Sequence, residues 1–223
     1  MLTLAMAFIG QADEAKPVVV VTPEAEWVMP TAPEPVAYPV AAVITTVEVA
    51  RAIEQEAAEQ AAKELLDQAV EFIEPFEGRS YRVYRDSLGY RTIAVGFNLD
   101  RTGAAEDIES LLPGVSYRAL RRGDVPLTDA QIDTLLRHDT QRAIDTARRQ
   151  VTGFDTLPRV AQMIIIDMTF NTGSLHKWRK LRAALARQDF ASAADEMHDS
   201  RWRKQTGQRA RRHIQMMHTI SNG

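Results

Sequence analysis

Six of the ten prolines lie between residues 17 and 47, and this clustering divides the chain into two unlike parts. Proline fixes the backbone φ angle and removes a hydrogen-bond donor, so helices and central strands are both disfavoured there. We predict an extended arm over residues 1–47. It is either a semi-rigid linker or a segment that lies along a partner, and its runs of valine favour the partner. The six prolines are Pro17, Pro23, Pro30, Pro33, Pro35 and Pro39.

The first twelve residues form a short apolar stretch that ends in small residues, as a secretion signal does. No Lys or Arg precedes this stretch, so an apolar tail that packs against another surface is the alternative. No apolar run in the chain reaches the roughly 18 residues that a membrane-spanning helix needs, and we predict no such helix. The chain has no cysteine, which excludes disulfide frameworks and thiol catalysis.

From about residue 48 the apolar residues recur at helical spacing, which predicts one long helix over 48–76 that ends at Pro75 and Gly78. We expect its first part, 48–66, to project from the globular domain or to pack on a partner. Residues 1–64 carry ten acidic and three basic residues, a net charge of −7. The remaining residues carry 20 acidic and 24 basic residues, a net charge of +4, so the two parts are expected to face different partners.

The rest of the chain predicts a small sheet followed by helices. Alternating aromatic and β-branched residues flank a turn at 86–89, which favours two or three antiparallel strands. A strong helix is predicted from 128 to 150, and the continuous apolar run 161–170 predicts a buried helix. This order of elements indicates an α+β fold. Three further helices are predicted near 176–187, 189–198 and 207–220.

Glu77, Asp86 and Thr92 form the pattern that points to chemistry. Glu77 ends the long helix just before a glycine, and a hairpin would fold Thr92 back towards Asp86 in its turn. Two carboxylates and a hydroxyl around one cleft are the minimum set for glycoside hydrolysis. Most of the 30 acidic side chains must be solvated surface groups, and on this pattern alone that alternative stays open for both carboxylates.

The stretch EGRSYRVYRDSLGYRTIAVGF, residues 77–97, resembles the active-site segment of phage-type lysozymes, the muramidases of glycoside hydrolase family 24. That family shows Glu-Gly, a Tyr-x-Asp turn and Gly-Tyr-x-Thr-Ile-x-x-Gly at this spacing. Two further resemblances follow in the family's order, FNTG at 170–173 and SRW at 200–202 with Arg209-Ala210 beyond it. The resemblance covers roughly residues 67–220, and residues 1–60 have no counterpart in the family's core domain.

The resemblance implies a two-lobed lysozyme domain over residues 67–223 that hydrolyses peptidoglycan without a cofactor. By position, Glu77 would be the general acid, Asp86 would hold or activate the attacking water, and Thr92 would orient that water. Arg209 matches an arginine that pairs with the acid, and such an acid keeps its proton only where burial or exclusion of water counteracts the cation. Family members usually invert configuration at the anomeric carbon. Positions that match sugar contacts, or lie beside them, are Asn98, Phe170 and Asn171.

Four further features of the sequence bear on the site and its partners. Phe97 stands where family members often have a histidine, and we expect this change to alter local stability more than chemistry. Phe170 could equally be plain core packing. The arginine-rich segment 201–212 favours approach to anionic peptidoglycan, or is simply a solvated helix face, and without a binding motif we predict no nucleic-acid partner. The five histidines show no metal-ligand spacing and are interpreted as surface or core-edge residues, so no metal is expected.

The proline- and valine-rich arm and the acidic helix favour a lysozyme that residues 1–60 anchor to phage structural proteins in a virion. Such a protein would act in the bacterial periplasm or wall. One alternative is an endolysin that acts at host lysis from the host cytoplasm or periplasm and is exported or tethered through residues 1–12. The other is a structural module that keeps the lysozyme fold without catalysis, against which the retention of Glu77, Asp86 and Thr92 argues.

Overall fold

The structure is a computed structural model that describes residues 46–221, with side chains described over 48–220. Our predictions for the proline-rich arm and for the apolar first twelve residues fall outside the described residues. Across the described part of the chain, no helix combines the length and the apolar character that crossing a bilayer requires.

Helix α1 spans Thr46–Ile73 and continues into a short 3₁₀ turn over Glu74–Phe76. The predicted helix over 48–76 is confirmed, but its last three residues adopt the tighter 3₁₀ geometry. Pro75 causes this difference, because it lacks the backbone donor that another α-helical turn would use. The 3₁₀ turn then ends in extended backbone at Glu77, with φ −112° and ψ 144°.

The two ends of α1 differ in burial. Residues 48–64 are exposed on every side of the helix. Leu65, Ala69 and Ile73 are buried, and their spacing of four residues places them on one helical face. The C-terminal part of α1 therefore anchors the helix in the core and fixes where its last residue points.

The predicted antiparallel sheet has three strands in the order β1-β2-β3. Strand β1 is Ser80–Arg85, β2 is Arg91–Ala94 and β3 is Phe97–Asn98. Tyr84 on β1 lies opposite Thr92 on β2, and Thr92 lies opposite Asn98 on β3. This register brings Thr92 and Asn98 of the predicted site into one row across the sheet, together with Tyr84.

Helices occupy most of the described chain after the sheet, which confirms the predicted α+β class. Short helices α2 and α3 fill the segment 99–126, and α8 is a short helix that the sequence did not predict. The N-terminus of α4 carries a capping box, in which Thr128 and Gln131 satisfy each other's backbone donors. The helices are α2 Ala104–Leu111, α3 Tyr117–Arg122, α4 Asp129–Gln150, α5 Arg159–Thr172, α6 Arg179–Ala186, α7 Phe190–His198, α8 Arg201–Thr206 and α9 Gln208–Ser221.

Helix α5 is the predicted buried helix, and every residue from Ala161 to Thr169 is buried. It packs against α1, α4 and α9, so it has no face left for solvent over this stretch. Among its buried residues is one carboxylate, Asp167, which is fully inaccessible to solvent. A buried charge needs a partner, and the partners of Asp167 belong to the candidate active site.

Candidate active site

Glu77 is the first residue after the 3₁₀ turn, and its backbone N–H donates to the carbonyl oxygen of Glu74 over 3.1 Å. Its side chain is 21% exposed, so the carboxylate is largely shielded but still reachable. Oε1 of Glu77 accepts a hydrogen bond from Nη1 of Arg209 over 2.6 Å. The ion pair predicted between Arg209 and Glu77 is therefore present.

Arg209 is itself buried and bridges Glu77 to a second carboxylate. Its Nε and Nη2 donate to the two oxygens of Asp167 over 2.8 and 2.5 Å, which is the bidentate geometry of a strong ion pair. Burial lowers the pKa of Arg209, but the hydrogen bonds and charges of Asp167 and Glu77 outweigh it and raise that pKa. The guanidinium therefore stays charged between two carboxylates.

Asp167 has a second partner, because Nε2 of His213 lies 2.5 Å from its Oδ2. Burial raises the pKa of the Asp167 carboxyl, but hydrogen bonds from Arg209 and His213 more than compensate, and the pKa is lowered overall. Asp167 was not among the predicted site residues, although its signal was a single carboxylate inside an apolar run. The prediction that His213 is a surface or core-edge histidine is wrong, since it is fully buried.

Asp86 occupies the turn between β1 and β2, as predicted. Its Oδ1 accepts hydrogen bonds from the backbone N–H groups of Leu88 and Tyr90, each over 2.9 Å. Its Oδ2 accepts from the hydroxyl of Thr92 over 3.3 Å. The turn itself fixes one carboxylate oxygen, and the other oxygen remains available beside the buried Thr92.

Tyr84 lies on β1 beside the turn that carries Asp86. Partial burial raises the pKa of its phenol, and the negative charges of Asp86 and Glu77 raise it further. The phenol therefore stays protonated at neutral pH. Tyr84 belongs to the Tyr-x-Asp motif, but no role was predicted for it from the sequence.

The three predicted sugar contacts line one cavity of about 430 Å³ between the sheet and the C-terminal end of α5. Asn98 enters it from β3, while Phe170 and Asn171 enter it from α5. Oδ1 of Asn98 accepts from the backbone N–H of Asp100 over 2.8 Å, and Oδ1 of Asn171 accepts from the indole of Trp202 over 3.0 Å. Each amide is thus oriented by one hydrogen bond and keeps its NH₂ group for other acceptors.

Comparison with known proteins agrees with this geometry. Residues 74–215 match the family model described as phage lysozyme. The chain belongs to the phage lysozyme family. Two proteins of Dictyostelium discoideum, named probable T4-type lysozyme 1 and 2, are 25% and 24% identical to it over 152 residues. In each case the match covers 64% of this chain and 89% of the relative.

Membership of the phage lysozyme family makes the chain a glycoside hydrolase, a peptidoglycan hydrolase of the muramidase type. The matched segment begins at residue 74, within the 3₁₀ turn that presents Glu77. It ends at residue 215, beyond Arg209 and His213. All residues of the buried ion-pair cluster and all predicted site residues thus fall within the matched segment.

Phe97 departs from the histidine that members of the phage lysozyme family often have at this position. The ring is buried, and the guanidinium of Arg101 lies 4.1 Å from its centroid. Arg101 also donates to Asp107 over 2.9 Å and to Asp139 over 2.8 Å, which ties the end of β3 to α2 and α4. The cation–π contact between Arg101 and Phe97 stabilises this part of the cleft, and unlike a histidine the Phe97 ring cannot ionise.

Proposed function

We propose that the chain hydrolyses the β-1,4 bond between N-acetylmuramic acid and N-acetylglucosamine by an inverting acid–base mechanism. Glu77 is the general acid, and Asp86 and Thr92 hold the attacking water. The observation that carries this proposal is that hydrogen bonds orient both carboxylates, Glu77 through Arg209 and Asp86 in its turn beside the hydroxyl of Thr92. This arrangement supports one carboxylate as the acid and the other as the base.

The two carboxylates are supported in ways that suit different roles. Glu77 is largely shielded and is held by Arg209, so its proton can pass to the leaving glycosidic oxygen. Asp86 has one oxygen bound by two backbone N–H groups and its other oxygen beside the hydroxyl of Thr92. A water held there loses its proton to Asp86 as its oxygen attacks the anomeric carbon from the opposite face.

The cavity lined by Asn98, Phe170 and Asn171 supports binding of the sugar chain. The free NH₂ groups of the two asparagines suit the carbonyl and hydroxyl oxygens of N-acetylated sugars. The ring of Phe170 offers an apolar surface for a sugar face. We assign these three residues to substrate binding and not to the chemical steps.

Product analysis tests the reaction. Purified peptidoglycan is digested with the full chain, the new sugar ends are reduced with borohydride, and the fragments are identified by mass spectrometry. We expect reduced N-acetylmuramic acid at the new ends, and NMR of the first products should show the α anomer. Reduced N-acetylglucosamine or a 1,6-anhydro end would contradict the assigned bond or the assigned use of water.

We further propose that residues 1–47 form an arm and 48–66 a projecting helix that place the lysozyme domain, 67–223, in a phage particle. The exposure of residues 48–64 on every side of α1 supports a partner-binding or spacing role for this part. Mass spectrometry of purified particles tests the proposal, and the chain is expected among the virion proteins. Its absence from particles, together with N-terminal processing in infected cells, would favour an exported endolysin.

A further inference from the structure

Arg209 lies between two carboxylates that differ in their access to solvent. Asp167 on α5 is fully buried and binds the guanidinium through two hydrogen bonds. Glu77, at the end of the 3₁₀ turn, is partly exposed and binds it through one. Asp167 alone therefore neutralises the charge of the guanidinium, without a contribution from Glu77.

This arrangement changes the charge that Glu77 meets. The positive charge of Arg209 and the negative charge of Asp167 cancel within one bidentate pair. When Glu77 carries its proton, the cluster of three residues is neutral. When Glu77 is ionised, the same cluster carries one net negative charge. The charges of the cluster therefore balance when Glu77 is neutral.

His213 also binds Asp167. Its Nε2 is bonded to Asp167, while its Nδ1 is buried and has no hydrogen-bond partner among the described residues. Three aromatic rings surround the imidazole, those of Phe72, Phe76 and Trp202, at centroid distances of 5.2, 5.3 and 6.0 Å. A second N–H on this ring would be a buried donor without an acceptor. Nε2 is therefore assigned as the ring nitrogen that donates to Asp167.

We propose that Asp167, which His213 holds in place, is a positioning residue that neutralises the charge of Arg209. Arg209 can then orient Glu77 while Glu77 keeps the proton that it must donate. The proposal rests on the proposed function, in which Glu77 is the general acid. It adds two residues to the machinery, and neither of them reaches the substrate.

Other charged and titratable groups belong to the elements around Glu77, and their effects must be separated from that of Asp167. Tyr84 and Asp86 approach from the hairpin, and Arg212 on α9 lies 5.5 Å from the centroid of the neighbouring Phe76 ring. All three are unchanged in the variants below. A shift that depends on Asp167 or His213 alone is thus attributable to the buried cluster.

The pH dependence of kcat/KM on soluble peptidoglycan fragments tests the proposal with Asp167→Asn in the full chain. The amide keeps the shape of the carboxyl but leaves the charge of Arg209 uncompensated, so ionised Glu77 becomes its counterion. Glu77 then loses its proton at lower pH, and we expect the alkaline limb of the profile to move down by about one pH unit. Asp195→Asn is the matched control, because it removes the same charge from an exposed site on α7 and should leave the limb in place.

His213→Gln gives a second variant, in which Asp167 keeps its charge but loses its imidazole donor. We expect a smaller shift of the limb in the same direction, and none for His198→Gln, which alters an exposed histidine. A uniform loss of activity at all pH values, without a shift of the limb, would overturn the proposal. So would a shift to higher pH.

NMR of the unmodified full chain provides a measurement that does not depend on how well the variants fold. The carboxyl carbon of Asp167 should report an ionised group throughout the pH range of activity, and His213 should carry its single proton on Nε2. A protonated Asp167 or a doubly protonated His213 in that range would overturn the proposal. If Glu77→Gln retained activity, the proposed function would fail. If it were inactive while the limb stayed fixed in Asp167→Asn, only the present inference would fail.

Discussion

Replacing Glu77 by glutamine should lower the initial rate of peptidoglycan clearing by about a thousandfold or more, since general acid catalysis contributes roughly 10²–10⁴-fold. The amide has nearly the same size and shape as the carboxyl group but cannot donate a proton to the leaving oxygen. Its carbonyl oxygen can still accept the hydrogen bond that Arg209 donates to Glu77. The fold should therefore be retained while the chemical step is lost.

Turbidity of purified peptidoglycan, followed with the full chain and the variant at equal concentration, measures the effect. Glu74→Gln is the matched control, because Glu74 lies in the 3₁₀ turn just before Glu77, is 41% exposed and pairs with Arg79 instead of Arg209. We expect this control to clear at nearly the rate of the unmodified chain. Equal clearing by Glu77→Gln would contradict the catalytic assignment and favour the structural module without catalysis.

The parts of the site that the sequence predicted are the parts held together by local structure. Asp86 and Thr92 are six residues apart in one hairpin, and the register of antiparallel strands places them side by side. Glu77 follows directly from the end of a helix whose periodicity is plain in the sequence. Over such short distances along the chain, the spacing of the motif residues allows few different arrangements of their side chains.

The buried support of the acid was harder to predict, because it depends on contacts between distant segments. Asp167 and Arg209 are 42 residues apart and belong to different helices, α5 and α9. The resemblance identified Arg209, but only the packing of α5 against α9 shows that Asp167 is its counterion. The carboxylate inside an apolar run was the available signal, since a buried charge requires a partner.

The burial of His213 follows from its position on the buried face of α9. The arginine-rich composition of this segment did not indicate that position. The residue stands in a stretch rich in arginine, and that context favours an exposed position. It nevertheless lies four residues after Arg209, on the face that also carries the buried Ala210 and Met217. The short helices of segment 99–126 were not predicted for another reason, because helices of six to eight residues depend on tertiary packing for their stability.

Replacing Arg209 by methionine should lower the free energy of unfolding by about 3–5 kcal/mol, because it removes one partner of a buried ion pair. Methionine retains much of the aliphatic volume of arginine but donates no hydrogen bond. Asp167 would then be a fully buried carboxylate, and of its two present partners only His213 would remain. Chemical denaturation followed by circular dichroism measures the change.

Two comparisons test whether the unpaired charge of Asp167 causes the loss of stability in Arg209→Met. Arg211→Met makes the same substitution at an exposed position two residues further along α9, and we expect it to change the free energy of unfolding by less than about 0.5 kcal/mol. The double variant Arg209→Met with Asp167→Asn removes the stranded charge, and it should recover much of the stability that Arg209→Met loses. If the double variant were as unstable as the sum of the two single variants, the two side chains would not be energetically coupled. A stable Arg209→Met protein would likewise contradict a structural role for the pair. Recovery of stability without recovery of activity is the expected result, since neither methionine nor asparagine can orient Glu77.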